Sequence, residues 1–292
     1  MLVTFENVTF GYIGVPVVRD VSFTIHEKER VGLLGGNGEG KTTLLKLLTG
    51  DLTPDTGSVI RKSALQLGYL EQSGGFSSEA TVYGAMEEVF EEDKQLIARL
   101  RDTEQQMATA DENEMRVLAA RAESLNRRIA ARDSYHFDVR IRTVLGGMGF
   151  GSMFSQKVST MSGGERTKLK LCRLLLEEPE LLILDEPTNH LDVSTLFWLE
   201  DYLASYKGAL LLVSHDRYFL DRLTTRTLEL ERGVLTSYKG GYSQYRVLRE
   251  EKRKEEERLY EKQCEEIAKL QDFVDRHIVR ATSASAARRR VN

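Results

Sequence analysis

The stretch GGNGEGKT, Gly35–Thr42, limits the possible folds of this chain more than any other feature. It matches the pattern G-x-x-x-x-G-K-[ST] and lies between a predicted strand, RVGLL, and a predicted helix that begins at about Lys41. In that setting the backbone N–H groups of Gly38, Gly40 and Lys41 can surround phosphate groups, aided by the helix dipole. Lys41 adds a charge for the β- and γ-phosphates of a nucleotide, and Thr42 offers a hydroxyl to Mg²⁺. The sequence therefore predicts a phosphate-binding loop.

Two acidic residues and a histidine follow apolar runs further along the chain. The run LLIL is followed by Asp185, whose carboxylate would lie beside the Mg²⁺ of a phosphate loop. The adjacent Glu186 can accept a proton from an attacking water or orient that water. His215 follows the run LLLVS and would reach the γ-phosphate. Paired acids at a strand end can be plain surface charge, and a lone histidine is more often structural, but their position after a phosphate loop favours the catalytic interpretation.

A third feature is the segment MSGGE. Ser162 and Glu165 match the S-x-x-E capping box, so a helix is predicted to begin there. Gly163 and Gly164 fill its first turn, although each glycine costs a helix about 1 kcal/mol relative to alanine. Glycine is favoured mainly where another group must approach the backbone closely. We therefore expect a close contact at this helix end.

The chain divides into four predicted segments. Residues 1–80 carry the phosphate loop among strand-like runs, and residues 150–238 return to alternating strands and helices, with LLILD and ALLLV predicted as strands of a parallel sheet buried on both faces. Residues 81–149 are helical and charged, and the turn signal TADENE predicts an antiparallel hairpin with arms of about 20 residues. Residues 239–292 predict a polar helix, stabilised by i,i+4 ion pairs.

Particular residues carry the two helical predictions. The apolar positions of the hairpin are spaced three or four apart, and they are Val89, Leu96, Leu100, Met107, Met115, Leu118, Ala122, Leu125 and Ile129. The expected ion pairs of the last segment are Glu250–Lys254, Lys252–Glu256 and Arg253–Glu257.

Composition narrows the function. A net charge of −4 argues against extensive nucleic-acid coating, but no acid follows Asp275, where five arginines accumulate: Arg276, Arg280, Arg288, Arg289 and Arg290. The two cysteines, Cys172 and Cys264, indicate neither a disulfide framework nor a zinc site. The first residues alternate like a strand and lack the pattern of an export signal, and every apolar run is shorter than the roughly 20 residues that cross a bilayer. We expect a cytoplasmic protein without membrane insertion.

These motifs together resemble the ABC family of ATPases. The strings GGNGEGKT, YLEQ, MSGGE, LLILDEPTNHLD and LVSHD occur in the order and spacing of an ABC domain. The fuller strings DEPTNHLD and SHDRYFLD, with YKGGYSQY after them, are similar to the ABC-F group, whose members normally carry two ABC domains joined by a helical linker. The resemblance implies an α/β P-loop NTPase with an inserted helical hairpin and a C-terminal linker helix. It also implies ATP and Mg²⁺ as ligands.

The resemblance assigns roles to individual residues. Tyr12 would stack on adenine, and Gln72 would sense Mg²⁺ and the γ-phosphate. Asp185 and Thr42 would hold the metal, Glu186 would be the catalytic base and His215 the switch histidine. Ser162 and its two glycines would grip a γ-phosphate held by the opposite ABC domain. The implied nucleotide-binding set comprises Tyr12, Gly35, Asn37, Gly38, Gly40, Lys41, Thr42, Thr43, Ser162, Gly163 and Gly164.

The function expected from the resemblance is a nucleotide-driven switch on the ribosome, in a translation factor or an antibiotic-resistance protein. The basic end, DFVDRHIVRATSASAARRRVN, resembles the linker that lies near transfer RNA. The sequence ends inside that linker and holds no second phosphate loop, so we expect the second ABC domain elsewhere in a longer chain or in a dimer. Two alternatives remain open, the ATPase subunit of a transporter and a DNA-repair type ABC ATPase, although the latter carries much longer coiled coils.

Overall fold

The structure is a computed structural model that describes residues 1–70, 76–77, 79–189 and 191–289, with the backbone alone for residues 273–289. The chain divides into two compact units, Met1–Tyr242 and Ser243–Asn292. The strands are β1 (Val3–Tyr12), β2 (Val15–Ile25), β3 (Arg30–Leu34), β4 (Thr56–Arg61), β5 (Leu67–Tyr69), β6 (Leu181–Asp185), β7 (Ala209–Val213), β8 (Arg226–Glu231) and β9 (Val234–Lys239). The α-helices are α1 (Lys41–Thr49), α2 (Val82–Glu87), α3 (Glu91–Met107), α4 (Glu112–Arg132), α5 (Phe137–Gly147), α6 (Gly163–Glu177), α7 (Val193–Ala204), α8 (Arg217–Leu223) and α9 (Tyr242–Arg289).

The larger sheet of the described chain has the strand order β5-β6-β7-β3-β8-β9. All neighbouring pairs are parallel except β8 and β9. The carboxyl ends of β3, β6 and β7 therefore lie at one edge. The loop after β3, Asp185 at the end of β6 and His215 after β7 meet there because the sheet is parallel.

Both faces of this sheet are covered. Along β6, Leu182 and Leu184 belong to a core with helices α5, α6, α7 and α8, whereas Leu181 and Ile183 belong to a core with α1 and a second sheet. Alternation of side chains along a strand explains this division, and each buried leucine contributes about 1.5–3 kcal/mol. The predicted doubly buried parallel strands are confirmed. Cys172 lies in the first core, fully buried, and desolvation raises the pKa of its thiol.

The second sheet is antiparallel, with the order β2-β1-β4 in the described residues. Strands β1 and β2 form a hairpin whose turn residues, Ile13 and Gly14, both have positive φ, at 50° and 79°. Two positive φ values are the signature of the tight type I′ hairpin turn. The turn leaves Tyr12, the last residue of β1, close to the phosphate loop.

Helices α3 and α4 form the predicted antiparallel hairpin. Their interface buries residues from both arms: Leu96, Ile97, Leu100, Ala122, Leu125 and Ile129. Asp111 caps α4 and, with Glu114, forms a capping box that fixes the turn between the arms. The expectation for Met115 is wrong, because its side chain lies in the first turn of α4, next to the tip of the hairpin, and is exposed.

The second unit is the long helix that follows Tyr242. The three predicted ion pairs are present, with N–O distances of 3.8 Å for Lys254–Glu250, 3.9 Å for Lys252–Glu256 and 3.2 Å for Arg253–Glu257. Each exposed pair of this kind contributes only about 0.3–0.5 kcal/mol. None of the helices within the described residues is long and apolar enough to span a membrane.

Candidate functional site

The phosphate loop connects β3 to α1. Gly40 is the N-cap of α1, with a left-handed φ of 99°. A Cβ atom at this position would lie 2.4 Å from Cγ1 of Val17, so both the backbone angle and the space require glycine. The sharp turn at Gly40 aims the free N–H groups of the first helical turn into the space beside the loop. That arrangement favours an anion.

Lys41 is the first residue of α1. Its Nζ donates hydrogen bonds to the carbonyl oxygens of Gly35 at 2.7 Å and of Gly36 at 3.0 Å. These bonds hold the ammonium group against the loop and add a full positive charge to the helix N-terminus. The loop therefore offers both directed N–H donors and a cation.

A pocket of about 460 Å³ lies beside this loop. Its lining brings together most of the site residues predicted from the sequence: Tyr12, Asn37, Gly38, Gly40, Lys41, Thr42, Thr43, Asp185, Glu186 and His215. Tyr12 is about half exposed, and its ring makes an edge-to-face contact with Phe10 at 5.1 Å between centroids. Gly35 contributes its carbonyl oxygen to Lys41.

Glu186 has an unusual conformation for a side chain-bearing residue. Its φ is 50°, in the left-handed region, and its N–H donates to the carbonyl oxygen of Val213 at 2.8 Å. One carboxylate oxygen, Oε2, accepts from the N–H of His215 at 3.4 Å. The other, Oε1, is buried and has no hydrogen-bond partner within the described residues. A buried carboxylate oxygen without a donor is costly, and such atoms are typical of sites that receive a ligand or water.

Thr42 and Asp185 also line a second, adjoining pocket of about 400 Å³. Its other lining residues are Tyr69, Leu70, Thr167 and Lys170. Sequence reasoning did not identify Thr167 and Lys170, which lie on α6, since only tertiary packing brings this helix close to a loop more than 100 residues earlier in the chain. It also missed Val17 of the first pocket, an apolar strand residue with no distinguishing signal.

Ser162, Gly163 and Gly164 do not line either pocket that contains the phosphate loop. The capping box predicted there is present: Ser162 Oγ donates to Oε2 of Glu165 at 2.7 Å, and the backbone N–H of Ser162 donates to the same oxygen at 2.8 Å. These bonds hold the pKa of Glu165 below its usual value. A Cβ atom at either glycine would have no neighbour within 4 Å. Among the described residues, no atom outside the helix lies within 4 Å of either Cβ position, so the expected close contact is not made there.

One predicted residue, Gln72, lies outside the described residues. Within the described part of the chain, no cluster of three or more histidine, cysteine and acidic side chains could hold a metal ion without further ligands. A metal at this site would need oxygen donors from a hydroxyl, from water or from a phosphate group.

The chain matches two models of known protein families. Residues 18–189 match a model described as ABC transporter, and residues 228–292 match a second model with the same description. The first match spans the phosphate loop, Ser162 and Glu186, and it covers more than half of the chain. Relatives include F family member 5 of the ABC transporters in Arabidopsis thaliana, 35% identical over 289 residues and 98% of this chain. The chain belongs to the ABC-F group of the ABC family.

Two bacterial proteins are also similar to this ABC-F chain. The tylosin resistance ATP-binding protein TlrC of Streptomyces fradiae is 37% identical over 94% of the chain, and the protein YdiF of Bacillus subtilis is 40% identical over 94%. The match covers 43% of YdiF, 50% of TlrC and 42% of the Arabidopsis protein. The chain thus spans about half the length of these ABC-F relatives.

A solved structure confirms the predicted fold class. The ATP-binding subunit of an ABC transporter aligns with a TM-score of 0.58 and 22% identity, covering 82% of this chain and 90% of that subunit. At this identity the likeness concerns the fold alone. The α/β core of the ABC-F chain is that of ABC ATPase domains, with the helical hairpin inserted and the helix α9 appended.

Proposed function

We propose that this chain binds ATP with Mg²⁺ and hydrolyses it to ADP and phosphate. The observation that carries the proposal is the convergence of a lysine-bearing phosphate loop, a metal-side carboxylate and an unpartnered carboxylate oxygen at one pocket. These groups are Lys41, Asp185 and Glu186. Tyr12 at the far wall would stack on adenine, and the N–H groups of the loop would bind the phosphates.

Thr42 and Asp185 fit a magnesium ion. Their hydroxyl and carboxylate oxygens are hard donors, and both residues line the two pockets that meet beside the loop. Gln72 is proposed as a further donor on the basis of the resemblance. When bound, Mg²⁺ neutralises charge on the β- and γ-phosphate oxygens.

Glu186 is proposed as the general base. In hydrolysis the oxygen of a water attacks the γ-phosphorus, the bond to the ADP oxygen breaks, and the water loses a proton. Oε1 of Glu186 is free to accept that proton, since its hydrogen-bonding capacity is unused in the described structure. His215, whose Nε2 lies 3.6 Å from this oxygen, would contact the γ-phosphate and report its presence.

A second ABC domain would complete the site. The open space at Gly163 and Gly164 supports this, because the helix end exposes its N-terminal N–H groups and the Ser162 hydroxyl to whatever approaches. We propose that two ABC domains close around two ATP molecules and reopen after hydrolysis, as a timed conformational switch.

The proposed place of action is the ribosome, near bound transfer RNA. The tail after Asp275 supports this through its five arginines: Arg276, Arg280, Arg288, Arg289 and Arg290. The name of TlrC states resistance to tylosin, which is consistent with either a translation factor or a resistance protein as the class of this chain.

Calorimetric titration with MgATP tests the nucleotide proposal. Lys41→Ala removes a charge-assisted contact to phosphate, so we expect ATP affinity to fall at least tenfold. Lys46→Ala removes a lysine from the other end of the same helix and should leave affinity unchanged. Equal affinity of Lys41→Ala and wild type would contradict the proposal.

Salt-dependent co-sedimentation with ribosomes tests the proposed partner. Five phosphate contacts correspond to a slope of about −4 in a plot of log affinity against log salt. Replacing the five arginines by glutamine should reduce both association and slope while ATP affinity stays intact. Unchanged association, or equal binding to duplex DNA or to membranes, would contradict a ribosomal role.

A further inference from the structure

Glu39 is an unexpected residue for a phosphate-binding loop. It lies between Gly38 and Gly40, where its negative charge would repel a bound polyphosphate. Its side chain makes a specific contact, because Oε2 accepts a hydrogen bond from the backbone N–H of Arg232 at 2.6 Å. The two residues are separated by 193 positions in the sequence. The contact therefore connects the loop to a distant part of the fold.

Arg232 is the first residue of the tight turn between β8 and β9. The last residue pair of that hairpin is Glu231 and Val234, and the two turn residues, Arg232 and Gly233, have φ values of 51° and 81°. In a two-residue turn of this type the first N–H points away from the strand ladder. A backbone N–H needs an acceptor, and the Glu39 carboxylate provides one.

The same turn is bound to β2 on its other side. The N–H of Arg19 donates to the carbonyl oxygen of Gly233 at 2.7 Å. Strand β2 returns to the loop through Val17, whose Cγ1 occupies the space that a Cβ atom on Gly40 would need. The phosphate loop therefore contacts the β8–β9 turn, the turn contacts β2, and β2 contacts the loop again through Val17.

These three contacts connect the two sides of the nucleotide pocket. Strand β2 pairs with β1, which carries Tyr12 on the adenine side, and Val17 itself lines the pocket. The loop lies on the phosphate side. A single turn therefore contacts both walls of the pocket, and its two hydrogen bonds add to the strand pairing of β3 with β8 that holds the loop.

We propose that Glu39 is a positioning residue for nucleotide binding. By holding the phosphate loop to the N–H of Arg232, it sets the spacing between the loop and the β1–β2 hairpin. The negative charge of Glu39 disfavours binding of the nucleotide phosphates, whereas its hydrogen bond with Arg232 favours binding by holding the loop in place. The role in nucleotide affinity rests on the proposed function, whereas the contact with Arg232 does not.

Three variants separate the hydrogen bond from the charge. Glu39→Gln keeps an acceptor oxygen and removes the charge, and Glu39→Ala removes both. Glu104→Ala removes an exposed glutamate that forms no hydrogen bond or ion pair among the described residues. We expect Glu39→Gln to bind MgATP as tightly as wild type or more tightly, and Glu39→Ala to bind about tenfold more weakly than Glu39→Gln in calorimetry. Glu104→Ala should match wild type. If Glu39→Ala and Glu39→Gln bind alike, the carboxylate acts through its charge only and the proposal is overturned.

Amide hydrogen exchange of Arg232 provides a second readout that needs no nucleotide. We expect faster exchange at this amide in Glu39→Ala and wild-type exchange in Glu39→Gln, with the melting temperature of both variants recorded as a check of folding. Unchanged exchange in Glu39→Ala would overturn the proposal. A wild-type protein that binds no ATP would contradict the proposed function instead, and the Arg232 amide would still decide whether Glu39 holds the turn.

Discussion

Nε2 of His215 lies 3.6 Å from Oε1 of Glu186. The two residues are 29 positions apart and meet because they follow adjacent parallel strands, β6 and β7. The histidine side chain is 67% exposed and the glutamate side chain 23% exposed. The pair therefore joins an inner carboxylate to a ring at the pocket surface. This geometry is compatible with the proposed roles of Glu186 as proton acceptor and of His215 as a contact to the γ-phosphate.

Replacing Glu186 by glutamine should stop hydrolysis without preventing ATP binding. The amide keeps the shape of the side chain and its acceptor for the N–H of His215, but it is not a base. We expect phosphate release to fall by about 10²- to 10⁴-fold, with ATP affinity in calorimetry unchanged or higher.

Glu180 provides the matched control for that variant, because it precedes the other end of β6 and forms an ion pair with Lys62. Glu180→Gln should hydrolyse ATP at the wild-type rate. A Glu186→Gln variant with wild-type turnover would show that another group accepts the proton.

Alanine substitutions at Gly163 and Gly164 should show whether these glycines are needed for the stability of the fold or for contact with a partner domain. A Cβ atom meets nothing within 4 Å at either position, so each variant should be as stable as wild type or more stable, by up to about 1 kcal/mol. If a partner domain approaches these glycines, hydrolysis stimulated by that domain should fall. Gly147→Ala is the contrast, since its Cβ would lie 2.0 Å from the Trp198 ring and should destabilise the fold. Urea unfolding and ATPase assays together give the answer, and a destabilised Gly163→Ala would contradict the open geometry.

Stability should fall at alkaline pH through Tyr83. Its hydroxyl donates to Oδ1 of Asp138 at 2.5 Å, and burial together with this bond raises the pKa of Tyr83 to about 12. An unfolded tyrosine loses its proton at a pKa of about 10. The contribution of Tyr83 to the free energy of unfolding is therefore complete below pH about 10 and is lost as the pH rises toward 12. Tyr83→Phe should lose less stability over that interval than Tyr135→Phe, which alters an exposed ring. Unfolding midpoints at pH 8, 10 and 11 measure this, and identical pH profiles would rule out the linkage.

The site residues that directly follow the ends of strands could be predicted from the sequence. Asp185, Glu186 and His215 follow apolar runs, and a parallel sheet brings the ends of such strands together. Lys41 was predictable from the phosphate-loop pattern that follows the run RVGLL. The capping box at Ser162 was also predictable, since it depends on residues three apart. The one at Asp111 has the same local pattern in DENE.

Other contacts depend on tertiary packing and carried no local signal. Glu39 and Arg232 are 193 positions apart, and the turn that joins them is defined only once β8 and β9 pair. The exposure of Met115 has a similar origin, because the spacing of apolar residues does not show which of them lie at the tip of the hairpin. The domain boundaries and the roles of the site residues stay predictions.

Ser162 is proposed to complete a nucleotide site on a second ABC domain. Light scattering of the Glu186→Gln protein at several concentrations, with and without MgATP, tests it most directly when Ser162→Arg is added to the same background. We predict that ATP converts Glu186→Gln to a dimer, and that the double variant binds ATP equally well but stays monomeric, since the arginine would obstruct the partner's nucleotide. A double variant that pairs normally, or a wild-type chain whose specific activity is high and independent of concentration, would show that Ser162 does not complete a partner's site.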